Sequence, residues 1–474
     1  MVFSSNIFLF LFLPVTLVGY YLLHKPYRNV FLLIMSLGFY SWGEPKFVFV
    51  MIGSILFNYA MAMVIDRVRE KKTLCKAVMA FCVAGNLVPL FMYKYLDFFI
   101  ENVNHLGLNI PLTNFVLPIG ISFFTFQAMS YVIDVYRGDI AVQRKPHYIG
   151  LYISFFPQLI AGPIVRYKDI EQQIDDRTVD FATFSEGVQR FLVGFSKKIL
   201  LANNMALIVD KAFALPDVER SVAFAWLGAI AYSFQILFDF SGYSDMAIGL
   251  GKMFGFHFLE NFDYPYLSKS ISEFWRRWHM SLGQWFRDYV YFPLGGSRTE
   301  SSARLIFNLF IVWLLTGAWH GASWNYIAWG LFYFALIAFE KQTGYPRKFK
   351  SGAAHIAYRV FVLLCVLAGW VLFRATGGRA AIGYGLSMFA LRGNPIFCDN
   401  VIYTIREYWL FLIASILCSA GFFKAAAKRL ESAKSTVVHG IANVFYVVSY
   451  FFCFIWAMSF IILGAHNPFI YFNF

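Results

Sequence analysis

Charge is sparse in this chain: Asp, Glu, Lys and Arg make up 14% of its 474 residues, against a hydrophobic share of 59%. Soluble domains carry nearer a quarter charged residues and about half apolar ones, so a water-soluble globule is excluded and the bilayer becomes the relevant solvent. Cysteine is scarce as well. Cys75, Cys82, Cys365, Cys398, Cys418 and Cys453 show no CxxC spacing and mostly fall within apolar runs, so they imply neither a disulfide framework nor a zinc site and read as small hydrophobes. GxSxG, GxxxxGK[ST] and HExxH are all missing, so any chemistry must rest on other residues. No internal repeat and no soluble domain is visible. Residues 1–474 read as one membrane domain, with Arg166–Asp180 as the longest polar loop.

What is present is apolar length. Asn6–Leu23, Phe47–Ile65, Val222–Phe238, Ile356–Phe373 and Ile441–Leu463 have the length that a bilayer crossing needs, roughly 20 residues, and about a dozen candidates can be counted. The first run lacks a basic lead and small-residue cleavage chemistry, so it is expected to remain as an anchor. The net charge of +13 is carried by loops between apolar segments. It reads as positive-inside topology and contact with anionic lipid, and nucleic acid is not expected as a partner. Basic residues follow the first segment (Lys25, Arg28), the third (Arg67, Arg69, Lys71, Lys72, Lys76) and the fifth (Arg137, Arg144, Lys145), which places the amino terminus outside the cytoplasm. Continuing the alternation puts Lys269–Arg298, Lys341–Lys350 and Lys424–Lys434 inside, provided Tyr148–Pro163 and Ser244–Gly255 are re-entrant and do not cross. The arginine-bearing loop Arg374–Arg406 then falls outside and weakens the parity toward the carboxyl terminus.

Three constellations could carry chemistry. Ile271–Tyr289 reads as one amphipathic helix: Ile271, Phe274, Trp275, Trp278, Leu282, Trp285, Phe286 and Tyr289 share a face, with Arg276, Arg277, Gln284, Arg287 and Asp288 opposite. Such a helix lies in the interface plane, its tryptophans at headgroup depth. Arg276, Arg277 and Arg287 could grip the phosphates of a donor such as coenzyme A, although lipid headgroups explain them equally well. His279, at the edge of the apolar face, is either a satisfied interfacial histidine or part of the mouth of a reaction site.

The second constellation is Thr316–Asn325, Thr-Gly-Ala-Trp-His-Gly-Ala-Ser-Trp-Asn, which joins two apolar runs and buries His320 at a break between helices. An ionisable residue there is a functional hypothesis by default, and a neutral imidazole with a pKa near 6.5 can take a proton from a hydroxyl or thiol. The flanking glycines would let a substrate approach, and a helix restarting at Gly321 could offer amides to an oxyanion. Asn325 is a further candidate for substrate binding. The alternative is a core histidine bonded to a neighbouring helix. The third constellation, Phe238–Asp245, sets Asp239 and Asp245 in apolar surroundings, either paired with basic residues as structural glue or orienting the histidine.

Together these motifs resemble the membrane-bound O-acyltransferase superfamily, in particular the branch typified by the alginate O-acetylation membrane protein. The resemblance runs through Met1–Asn6, Leu117–Phe123, Ala161–Pro163 with Arg166, Phe238–Ala247, Phe274–His279, Gly317–Gly321 and the tail Asn467–Phe474, nearly the whole chain. It implies an all-α polytopic fold, a ring of 11–12 transmembrane helices with re-entrant and interfacial segments around a funnel, in the bacterial inner membrane. It implies that His320 is the catalytic histidine and His279 a second important one. It also implies transfer of an acetyl group from cytoplasmic acetyl-CoA, with no bound cofactor or metal, to a polysaccharide hydroxyl, directly or through an extracytoplasmic acetyltransferase partner. A sister branch moves D-alanine from a carrier protein to teichoic acid. A transporter without chemistry or a scaffold subunit are the rivals from other classes.

Overall fold

The computed structural model describes residues 1–160, 162–299, 301–432, 435–468 and 470, with the side chains of residues 431 and 436 left aside. Of the motifs above, Ala161, Lys434, Phe469 and the end of the tail, 471–474, lie outside the described residues. The chain is helical, with no strand among the described residues. In chain order the helices that matter are α1 (Phe8–Leu22), α2 (Lys25–Gly43), α3 (Val48–Arg67), α4 (Lys72–Lys94), α5 (Ile121–Arg137), α6 (Phe181–Ala214), α7 (Val222–Met253), α8 (Ile271–Arg277), α9 (Met280–Phe286), α10 (Ser302–His320), α11 (Trp324–Thr343), α12 (Gly352–Arg374), α13 (Asp399–Ser419) and α14 (Thr436–Ile462). Eight among the described residues, α3, α4, α6, α7, α10, α12, α13 and α14, are long and apolar enough to cross a bilayer. The all-α, polytopic expectation therefore holds.

Two compact units are present, Met1–Phe191 with Met246–Leu259, and Leu192–Asp245 with Glu260–Phe474. In the first unit, α3 and α4 are clipped by Asn58 and Asn86, which exchange amide hydrogen bonds of 2.8 Å in both directions. Polar pairs of this kind join helices where no hydrophobic force separates helix from lipid. Helix α5 is almost wholly buried, and left-handed glycines bound it, Gly120 at φ 77° and Gly138 at φ 80°. The segment expected to be re-entrant after Tyr148 is broken as its Phe-Pro-Gln predicts, into Pro146–Ser154 and Phe156–Leu159, both shielded by protein. Arg166–Asp180 is not simply a loop: Tyr167–Asp175 is helical because Tyr167, Ile170 and Ile174 recur at helical spacing and are buried.

The larger correction concerns Ser244–Gly255. Instead of a separate re-entrant piece, Ser244–Met253 forms roughly the last third of α7, a continuous helix of 32 residues. Its glycines form a contact stripe. In the first unit a Cβ on Gly249 would sit 2.6 Å from the Gly187 carbonyl oxygen, and in the second unit one on Gly242 would sit 2.8 Å from that of Gly194. The glycines recur every seven residues on both helices, which lets two backbones touch.

Candidate active site

All the candidate residues fall in the second unit. Helices α10 and α11 form a hairpin so tight that a Cβ on Gly317 would meet the Tyr326 carbonyl oxygen at 2.4 Å, and one on Gly330 that of Trp313 at 2.4 Å. His320 is the last residue of α10. Helix α11 restarts at Trp324, not at Gly321, and the Ser323 hydroxyl caps it. His320 thus sits at a carboxyl-terminal helix end, and the expected oxyanion site on amides at Gly321 is absent. The flanking glycines also serve packing, because a Cβ on Gly321 would strike the Tyr326 ring at 2.3 Å. Asn325 is buried, and its amide donates to the Ala375 carbonyl at 2.6 Å, tying α11 to the end of α12.

His320 is 7% exposed and held by aromatic edges: its ring centroid lies 5.0 Å from Trp319, 5.0 Å from Trp329 and 5.2 Å from Phe373. It borders a small internal cavity together with Asp239, Phe240, Trp278, Trp329, Trp370 and Phe373, closed on another side by Ile470 of the tail. A histidine on the wall of a cavity faces open space that a merely packed histidine lacks.

The expected single helix Ile271–Tyr289 is two, α8 and α9, with His279 at the joint in a left-handed conformation, φ 46°. Its apolar face meets protein, not lipid headgroups. Trp275 packs at 4.9 Å on Trp313 and 5.3 Å on Trp329, and Trp278 at 4.7 Å on Trp370. Most of the apolar stripe is buried although the helix is broken, but an apolar stripe in sequence cannot tell a lipid-facing surface from one facing a core of tryptophans. His279 is buried, its Nδ1 lies 3.2 Å from Asn261 Oδ1, and its ring stands 4.5 Å from Phe240 and 6.0 Å from Trp319. Trp319 is therefore packed between the two histidines. His279 lies outside the spanning helices, and burial, followed by the nearby His320, holds its imidazole well below the usual histidine value, so it stays neutral.

The carboxylates are paired. Asp239 meets Lys198 at 2.5 Å with both side chains almost wholly buried, and also accepts from the Ile470 amide at 3.0 Å. Asp245 meets Lys197 at 2.6 Å. The two lysines are successive residues of a π-helical turn, Lys197–Ala202, inside α6, and such turns concentrate at functional sites. The reading of structural glue is thus realised for Asp245, while Asp239 both pairs and borders the cavity. Of the arginines, Arg277 is engaged by Glu273 at 2.9 Å and Asp263 at 3.4 Å, and Arg287 by Asp288 at 2.9 Å, while Arg276 is exposed.

Three residues escaped the sequence reading. Asn261 holds the joint, accepting from the Ser281 amide and hydroxyl as well as facing His279. Glu340 accepts from the first amides of α8, Ile271 at 2.6 Å and Ser272 at 2.8 Å, and from the Tyr358 hydroxyl. Nothing local marks either one. Lys198 could have been found, since two lysines interrupt the apolar run from Phe191 to Leu201.

A multi-pass helical membrane protein with a histidine on the wall of an internal aromatic cavity has the parts that a membrane acyltransferase needs. The chain belongs to the membrane-bound O-acyltransferase family, whose model matches residues 146–365. It is 43% identical over 398 residues to the probable alginate O-acetylase of Pseudomonas putida, covering 82% of this chain and 80% of that protein. It is 44% identical to the Pseudomonas aeruginosa counterpart over 82% of this chain and 75% of that one. The peptidoglycan O-acetyltransferase of Helicobacter pylori is 33% identical over 83% of this chain and 80% of its own length. The chain is an acyltransferase and a multi-pass protein of the bacterial inner membrane.

Proposed function

We propose that the chain takes an acetyl group from cytoplasmic acetyl-CoA and passes it toward a hydroxyl of an exported polysaccharide, alginate or a related exopolysaccharide, directly or through an extracytoplasmic acetyltransferase partner. The placement of His320 carries this reading: it is buried, cushioned by aromatic edges and open to a cavity. In this scheme the neutral imidazole takes the acceptor's proton as the hydroxyl attacks the thioester carbonyl, and returns it to the departing thiolate. The low-dielectric aromatic wall excludes water that would hydrolyse the donor. The relatives whose names specify alginate or peptidoglycan O-acetylation support acetyl as the cargo over most of the chain. The teichoic acid D-alanyltransferase of Bacillus subtilis is 31% identical over 55% of the chain and supports the sister reaction less.

Inverted membrane vesicles test the donor. With [¹⁴C]acetyl-CoA the wild type should release CoA and deposit hydroxylamine-labile label, and D-alanyl carrier protein should not substitute. Label accepted only from the D-alanyl carrier would reverse the choice of cargo.

A further inference from the structure

Buried hydrogen-bond donors nearly always find acceptors, and one left alone points to a missing partner. The indole nitrogen of Trp329 is such a donor. The residue is 1% exposed, and its Nε1 meets no acceptor among the described residues. Trp329 also borders the cavity that holds His320, and the two rings stand edge to face at 82° with centroids 5.0 Å apart. The neighbours sharpen the contrast. Trp370 borders the same cavity, but its indole N–H already donates to the Tyr266 hydroxyl at 3.2 Å. Trp275 Nε1 and the Tyr333 hydroxyl likewise meet no partner, yet neither residue borders the cavity.

We propose that Trp329 is a catalytic residue, its indole N–H donating to the carbonyl oxygen of the acyl thioester as that oxygen becomes an oxyanion. This rests on the acetyl-transfer reading of the cavity. The acceptor oxygen attacks the carbonyl carbon, its proton moves to the His320 imidazole, and the π pair of the C=O bond moves onto the oxygen facing the indole. Collapse re-forms the C=O bond and breaks the C–S bond, and the departing thiolate takes the proton from the imidazolium. Thioester and alcohol thus become ester and thiol, with no further reactant. Indole is a donor only and does not titrate, so it can stabilise negative charge through both steps while keeping its own proton. At 5.0 Å between rings, a carbonyl group held about 3 Å from the imidazole lies within reach of the indole edge. A donor already fixed in a buried wall needs no reorganisation when the charge appears, which is where such groups are worth most. The role lost by the amides at Gly321 is thereby taken up by a side chain one helix further on.

Two variants test this in inverted vesicles supplied with acetyl-CoA. Trp329→Phe removes the donor, and 3-benzothienylalanine at position 329 replaces the N–H by sulfur while keeping the outline of the ring. Both should lower kcat on the order of 100-fold or more, the loss expected for one oxyanion donor. KM for acetyl-CoA should stay within roughly threefold, because the interaction belongs to the transition state. Wild-type kcat in the benzothienylalanine variant overturns the assignment, as does a raised KM with kcat unchanged. His320→Ala serves as comparator: if it too turns over at the wild-type rate, the reading of this cavity as the acetyl-transfer site fails. If it is inactive while the benzothienylalanine variant is fully active, only the role of Trp329 falls.

Discussion

Replacing Lys198 by Met should do more damage than removing both charges of its ion pair. The Lys198 ammonium lies 2.5 Å from the Asp239 carboxylate, with the two side chains 4% and 3% exposed, and it also donates to the Pro468 carbonyl. Without it, Asp239 keeps the Ile470 amide but loses its cation, and a carboxylate borders the cavity uncompensated. Breaking a buried pair from one side costs about 3–5 kcal/mol, whereas replacing both partners with neutral groups is often close to neutral. Against a total stability of about 5–15 kcal/mol, the single change is severe. Lys198→Met, Asp239→Asn and the double variant, purified in one detergent, would be compared by denaturant titration followed by tryptophan fluorescence. Each single variant should unfold early, and the double variant should be more stable than the sum of the two losses allows. Additive losses would show that the two groups are not coupled and refute the reasoning. The double variant should still turn over slowly, since Asp239 borders the cavity and its charge is gone.

Acid should destabilise the protein through His279. Its folded pKa lies below the unfolded value of about 6.5, so the unfolded chain binds the proton more readily, and stability present above that pH is lost as pH falls below it. Unfolding midpoints measured from pH 7.5 down to 5 should fall, and His279→Gln should flatten the profile; an unchanged slope in that variant would assign the acid sensitivity elsewhere. Arg276→Ala should raise KM for acetyl-CoA roughly 10- to 100-fold if the exposed guanidinium grips donor phosphate. Arg277→Ala, which frees Glu273 and Asp263, should instead lower protein abundance, and equal KM effects in the two variants would contradict this division.

Apolar length made the membrane class legible, and a helix break near His320 was legible from Thr316–Asn325 between two apolar runs, though not that the next helix starts at Trp324. What hid was anything set by a partner distant in sequence. A stripe of tryptophans over Ile271–Tyr289 looks the same whether it faces headgroups or Trp313, Trp329 and Trp370. The contact stripe of α7 glycines was hidden because Gly187 and Gly194, more than forty residues earlier, are what they pack against. His279 was placed at the edge of a continuous helix. It turns the chain instead, held by Asn261, whose surroundings in sequence carry no motif. Asp239 and Asp245 were singled out for lying in apolar sequence, but only the structure supplies Lys198 and Lys197 opposite them.

The acetyl content of exported polysaccharide in cells carrying His320→Ala tests the central claim most directly, with the variant's membrane level verified against wild type. The site predicts acetylation reduced to the level of a strain lacking the protein, because the group lost is the one that moves the proton while the fold around it remains. Wild-type acetyl content at equal protein level would contradict it and leave His320 a buried histidine of the aromatic core.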